Sequence, residues 1–253
     1  MQFNRYEIHS FYLLIFFNFI NAQNLKVEYE YVNKQDLSEY SSESSSTFKR
    51  QAEEKLKKAQ KQILYFYKGN TFYKNIPTEG FENEKERKKV DERTTSITKE
   101  SFVIKPIKIY HKKNDPGFYQ YQNFGDEEYY KYYAPKFSKV EYKDNVEQIE
   151  KYTCKLAEVT LNSGGLVKVW YAEDFPVSAG PYVYNSFPGL VLKVESPNFI
   201  VYATKISNDG KETDFEPMNS KLKVLDQEKD KDKIQEIMKE ASKVKETHTD
   251  IRL

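Results

Sequence analysis

Residues 25–32 read Leu-Lys-Val-Glu-Tyr-Glu-Tyr-Val and alternate: Leu25, Val27, Tyr29 and Tyr31 point one way, Lys26, Glu28 and Glu30 the other. That is the period of a half-buried β-strand. The same chemistry runs through the chain. There are 21 Tyr and 17 Phe against only 9 Gly and 9 Pro, and charged residues make up 31%. Tyr suits a pleated surface that is buried at the ring and wet at the hydroxyl. Many Tyr beside many charges therefore predict antiparallel strands with one face in water. A parallel sheet buried on both faces would instead show continuous Val, Ile and Leu.

Further strands follow from the pattern. Ile63–Lys68 and Thr71–Ile76 flank Gly69-Asn70 and read as a hairpin. Stretches at 101–110 and 118–124 lie on either side of the turn Asn114-Asp115-Pro116-Gly117. Residues 128–133 carry four Tyr and read as an edge strand. Tyr152–Leu161, Leu166–Tyr171, Leu190–Glu195 and Phe199–Ile206 form an antiparallel meander. Two segments change period. Phe48, Ala52, Leu56, Ala59 and Ile63 form one helical stripe, and Ile234, Ile237, Met238, Ala241 and Val244 another, within a C-terminal helix around 227–246. Residues 79–96 are almost wholly polar and read as a loop or insertion. The expected fold class is α+β, mainly antiparallel β. Its form is a curved meander sheet with one or two packed helices, like a lipoprotein-carrier domain by analogy of fold alone.

The first 22 residues read as a signal peptide. Phe11–Phe17 is an apolar run, Arg5 supplies a positive start, and Ala22 is a small residue before Gln23. The run is too short for a span, which needs about 20 apolar residues. The expectation is an exported chain, periplasmic or outer-membrane-associated. It is not expected to be a lipoprotein, because no Cys stands near the cleavage site. Residues 23–253 then form a single β-rich domain without a transmembrane span.

Composition excludes several functions. Forty Lys+Arg against 39 Asp+Glu leave a net charge of +1, which argues against nucleic acid as a partner. One Cys, Cys154, permits neither an intramolecular disulfide framework nor a Cys-rich zinc site. His111 and His248 are the only histidines beyond the leader, and no Gly-x-Ser-x-Gly elbow occurs. Ser163 before two glycines reads as a turn. The pairs nearest to acid–base chemistry are Glu127-Glu128, beside Asp126, and Glu173-Asp174; adjacent loop carboxylates are ordinarily solvated. No cofactor and no metal is expected.

The segment 167–192 is the most distinctive. It contains Trp170-Tyr171, Glu173, Phe175-Pro176, Gly180-Pro181, Tyr182, Tyr184 and Phe187-Pro188-Gly189-Leu190. Pro188 fixes φ near −65°, and Gly189 accepts a positive φ, so Phe187–Leu190 suits a type II turn. These residues resemble the signature of the GLPGLI family, exported proteins of Bacteroidota-type bacteria. Ser186–Val191 stands where the naming hexapeptide would lie. The resemblance implies an envelope location and supplies no activity.

Two readings of the loop follow. Its aromatics cap the sheet, or they form a preset binding surface. The functional expectation is a non-enzymatic envelope protein that binds or carries an apolar or lipid-like ligand. The alternative is a module docking on an outer-membrane protein through 172–189, which requires Tyr182, Tyr184 and Phe187 to be exposed. A hydrolase using Glu173 or Asp174 is a third reading.

Overall fold

The computed structural model describes residues 24–35, 45–90, 95–124, 127–245 and 250–252, with side chains as far as Ala241. The leader, most of the Ser-rich stretch 38–46, Asp126 and His248 lie outside the described residues. The strands are β1 (Leu25–Asn33), β2 (Gln60–Tyr67), β3 (Asn70–Asn75), β4 (Phe81–Lys89), β5 (Thr95–Phe102), β6 (Lys108–His111), β7 (Phe118–Phe124) and β8 (Glu127–Tyr133). They continue with β9 (Phe137–Ile149), β10 (Tyr152–Leu161), β11 (Leu166–Ala172), β12 (Leu190–Glu195), β13 (Phe199–Ser207), β14 (Lys223–Asp226) and β15 (Asp250–Arg252). The helices are α1 (Ser46–Lys57) and α2 (Lys231–Lys245).

Twelve strands form one open sheet in the order β14-β8-β7-β6-β3-β2-β1-β13-β12-β11-β10-β9. Every pairing in it is antiparallel except β14 with β8. The fold is thus mainly antiparallel β with two helices, as the Tyr-rich alternation predicts. β1 lies between β2 and β13, so the first strand stitches the N-terminal half to the 150–206 meander.

The alternation sorts side chains into two faces. The inner face carries Leu25, Val27, Tyr29, Leu64, Phe66, Tyr73, Ile109 and Phe118, all within the main core. The outer face of β2–β8 carries a second cluster of Tyr65, Phe72, Tyr110 and Tyr130, covered by Phe215, Met218 and Leu222. Phe72 stacks on Tyr110 with ring centroids 4.7 Å apart. Opposing rings at this spacing are the cross-strand pairs that stabilise sheets. Lys74 and Lys108 also face one another in register on the outer face. Glu216 bridges them at 2.7 and 2.5 Å, offsetting a like-charge pair and pinning the 211–222 segment to the sheet.

The helices are peripheral. Ser45 caps α1 by accepting a hydrogen bond from the Phe48 N–H at 3.2 Å, and Phe48 meets Phe81. No residue of α1 is fully buried. In α2, Ile234 is buried against Tyr129 and Leu225, whereas Met238 turns outward. Among the described residues no helix is long and apolar enough to cross a membrane.

Three sequence expectations are corrected. The polar stretch 79–96 is not a loop: it carries β4 and the start of β5, which with β15 form a separate three-stranded sheet. Its alternation is hidden because few of its side chains meet a core. β8 is not the edge, because β14 pairs alongside it. The β2–β3 turn uses Lys68-Gly69, not Gly69-Asn70. Both take positive φ (49° and 86°), as a type I′ turn demands. Asn70 instead caps the turn, its side-chain amide donating to Tyr67 O and accepting from the Lys113 N–H.

Candidate functional site

The 173–189 connection between β11 and β12 is folded onto the inner face. A bulge at Trp170/Tyr171 redirects the end of β11, and Tyr171 then stacks on Phe187 at 6.1 Å. Phe175 packs on Tyr152 at 4.7 Å, and Tyr184 stacks on Phe137 at 5.9 Å. Phe175, Tyr184 and Phe187 are all buried. Each contributes on the order of 1.5–3 kcal/mol of apolar burial. The loop is therefore the inner face's second layer. Its backbone is tied down by Val191 N–H to Ala179 O at 2.8 Å and by a parallel bridge from Ala179 to Leu190.

The glycines and prolines act through closeness. Gly189 does not have a positive φ, so the expected type II turn is absent. The Gly189 N–H instead bonds back to Phe187 O at 2.8 Å, closing a tighter turn around Pro188. Gly189 is required for space: a Cβ there would lie 2.3 Å from Ala172 O. At Gly180 a Cβ would lie 2.1 Å from Tyr184 O. Pro181, beside it, is buried, whereas Pro176 and Pro188 are exposed. The positive φ of the loop falls on Tyr182, at 54°. A bulky residue adopts this only when its surroundings hold it there.

What holds Tyr182 is a buried polar network. Gln62 Nε2 donates to the Tyr182 hydroxyl at 2.9 Å, and the Tyr73 hydroxyl donates to Gln62 Oε1. Around it the Tyr182 ring meets Tyr73 at 4.9 Å, Phe199 at 6.0 Å and Tyr31 at 6.4 Å. Burial pushes the Tyr182 and Tyr184 phenols up to about 12. Tyr29 donates to Val191 O at 2.7 Å from the same face.

The acidic candidates stand apart from this network. Glu173 is exposed and ion-paired to Lys155 at 2.7 Å. Asp174 is exposed. Cys154 is buried mid-strand, its thiol pushed up to about 12 by burial and then by Glu147 and Asp174. Trp170 is buried with its indole N–H unpartnered among the described residues, and the Lys193 ammonium lies 5.6 Å from its ring.

A family model described as the N-terminal domain of N-glycanase peptides matches residues 46–232, from α1 into α2. The chain belongs to this family. Two solved structures share the fold of this chain, the structure of PNGF-II in C2 space group and in P21 space group. The first has a TM-score of 0.51 at 15% identity and covers 87% of this chain; the second has 0.51 at 16% and covers 85%. The chain spans about a third of the length of either, 33% and 34%. No curated protein matches it.

This overturns the resemblance to the GLPGLI family. The domain match runs through the whole segment that carried the resemblance. The shared Pro-Gly-Leu is explained by packing, since any loop brought this close to Ala172 needs a glycine there. Of the sequence-predicted residues, Trp170, Tyr171, Phe175, Gly180, Pro181, Tyr184, Phe187, Gly189 and Leu190 are core. Glu173, Pro176 and Pro188 are exposed, and Tyr182 is half-buried. Tyr184 and Phe187 are buried and Tyr182 is half-buried, so the three rings do not stand together on the surface. Sequence reasoning missed Gln62 and Tyr73. The signal was there: Gln60 and Gln62 occupy the same alternation as Leu64 and Phe66. Polar groups in phase with a core stripe mark a buried network.

Proposed function

We propose that this chain is an exported glycoprotein-binding module that serves N-glycan processing by holding its target rather than cleaving it. Family membership over residues 46–232 is the observation that carries the reading. The non-catalytic part is supported by the acid–base candidates themselves, since Glu173 and Asp174 stand exposed in solvent, apart from the buried network, and Glu173 pairs with Lys155. The inner face of β1 and β10–β12 is filled by Phe175, Tyr184 and Phe187, which favours this reading over a carrier with an open apolar interior.

The test uses the purified chain and one high-mannose glycoprotein, with and without its N-glycans. Binding by calorimetry is expected for the glycosylated form and at least about tenfold weaker for the stripped form, a difference of about 1.4 kcal/mol. Equal binding of both forms would overturn glycan recognition. Release of free glycan by the chain alone would overturn the non-catalytic part.

A further inference from the structure

Across the inner face, register places Ile109 (β6), Gln120 (β7), Lys131 (β8) and Leu225 (β14) in one row. Ile109 belongs to the main core, and Leu225 to the cluster under α2. Between these two apolar regions the row turns polar, with Gln120 and Lys131 side by side and both half-buried. Tyr133 follows on the same face of β8, and its ring centroid lies 5.2 Å from the Lys131 ammonium.

Lys131 breaks a rule that Lys74, Lys108 and Lys193 obey. Lys74 and Lys108 share Glu216, and Lys193 takes Glu147 at 2.8 Å. Lys131 has no carboxylate and no hydrogen-bond acceptor among the described residues, and Gln120 has no hydrogen-bond partner either. Burial lowers the Lys131 pKa, and among the described residues the group against its ammonium is the Tyr133 ring. A half-buried ammonium without a counter-charge costs stability. The nearest acid on this face of β8 is Glu127, four residues along the strand from Lys131 and opposite Phe124, and no ion pair joins the two among the described residues. The Lys105 ammonium lies 5.0 Å from the ring of Phe124, on the same face of β7 as Gln120. One row away, His111 donates from Nε2 to Asp115 O at 2.8 Å, and its buried Nδ1 has no partner among the described residues. Covering apolar surface with its stem explains why Lys131 is tolerated there. It does not explain an unused amide beside it.

We propose that Lys131, Gln120 and Tyr133 form a binding site for a carboxylate-bearing saccharide; the proposal rests on the glycan-binding reading above and adds an acidic class of ligand to the neutral glycans of its test. The ammonium takes the sugar carboxylate in a charge-assisted hydrogen bond. The Gln120 amide both donates to and accepts from ring hydroxyls. Tyr133, stacked on Phe118 with ring centroids 6.0 Å apart, forms the apolar wall beside the ammonium. A single ammonium takes either a carboxylate or a phosphate, and the row lacks the clustered backbone N–H groups or Arg fork that favour phosphate.

The experiment titrates the full chain with 3′-sialyllactose and with lactose, at low and high salt, following backbone amide resonances. Wild type is expected to bind sialyllactose more tightly than lactose, with the shifted amides in β7 and β8 and the affinity falling with salt. Lys131→Met keeps the stem and removes the charge, and should weaken sialyllactose binding by about tenfold or more while leaving lactose unchanged. Lys131→Arg should restore the preference. A structural role for the ammonium predicts a lower melting temperature for Lys131→Met; the binding role predicts an unchanged or higher one. Equal binding of sialyllactose by wild type and Lys131→Met would overturn the site. So would binding of the high-mannose glycoprotein without any sialyllactose binding, and the module reading would then stand without this site. Failure to bind either ligand would overturn both.

Discussion

Gln62 Nε2 donates a 2.9 Å hydrogen bond to the Tyr182 hydroxyl, joining β2 to a loop 120 residues further along the chain. The same side chain accepts from Tyr73, so one amide holds two tyrosines at a site where Gln62 is only 1% exposed. Unmaking such a network is costly because the remaining partners cannot reach water. Gln62→Ala should therefore destabilise by about 2–4 kcal/mol, combining the orphaned Tyr73 hydroxyl with a cavity. Tyr182→Phe leaves the ring in place and should cost only about 1 kcal/mol. Urea unfolding of both variants checks the ordering; equal losses would refute the network.

Two glycines separate conformational strain from crowding. Gly164 has φ +85° and nothing within 4 Å of the place a methyl would occupy, so Gly164→Ala should cost only about 1 kcal/mol for its backbone. Gly180 lacks that φ but would place its methyl 2.1 Å from Tyr184 O and 2.7 Å from Val191 Cβ. Gly180→Ala should exceed about 3 kcal/mol, because backbone on the loop must move before the core can close. Melting temperatures of the two variants decide it.

Strand identity was legible where neighbours in sequence are neighbours in space. The alternation of β1 and the β10–β13 meander follow from local pattern and turns. The position of β1 between β2 and β13 did not, since both its flanks look equally able to pair. The loop 173–189 was legible as unusual but not as core. Phe175, Val177 and Ala179 alternate, but Tyr184 and Phe187 fall out of that period, because turns at Pro181–Tyr184 and Phe187–Gly189 redirect the chain. Lys131 was invisible for a different reason. A lysine in a Tyr-rich strand reads as solvent-facing until register sets it between Gln120 and Leu225.

Cys154 tests how tightly the meander is closed. Its thiol is fully buried and pushed up to about 12, so almost no thiolate exists in the native state at pH 8. Native protein should react with a disulfide reagent at the rate of opening of β10, and at once after denaturation. Stoichiometric labelling of folded protein within seconds would show that β10 is not sealed.

Glu216 sets an acid-side dependence. The Lys108 and then Lys74 hydrogen bonds hold its carboxyl below the ordinary range. A folded-state value below the unfolded one contributes stability that is complete above the unfolded value. That stability is lost as pH falls through the folded value. The Glu216 side chain is 39% exposed, so solvent screening reduces the contribution to about 0.5–1 kcal/mol at pH 7. Glu216→Gln should therefore lose about that much at pH 7, where the in-register pair Lys74 and Lys108 is left uncompensated. Below the folded value, wild type carries a neutral acid there and the two proteins should unfold at the same urea concentration. A gap that persists unchanged at low pH would mean the bridge acts through packing rather than charge.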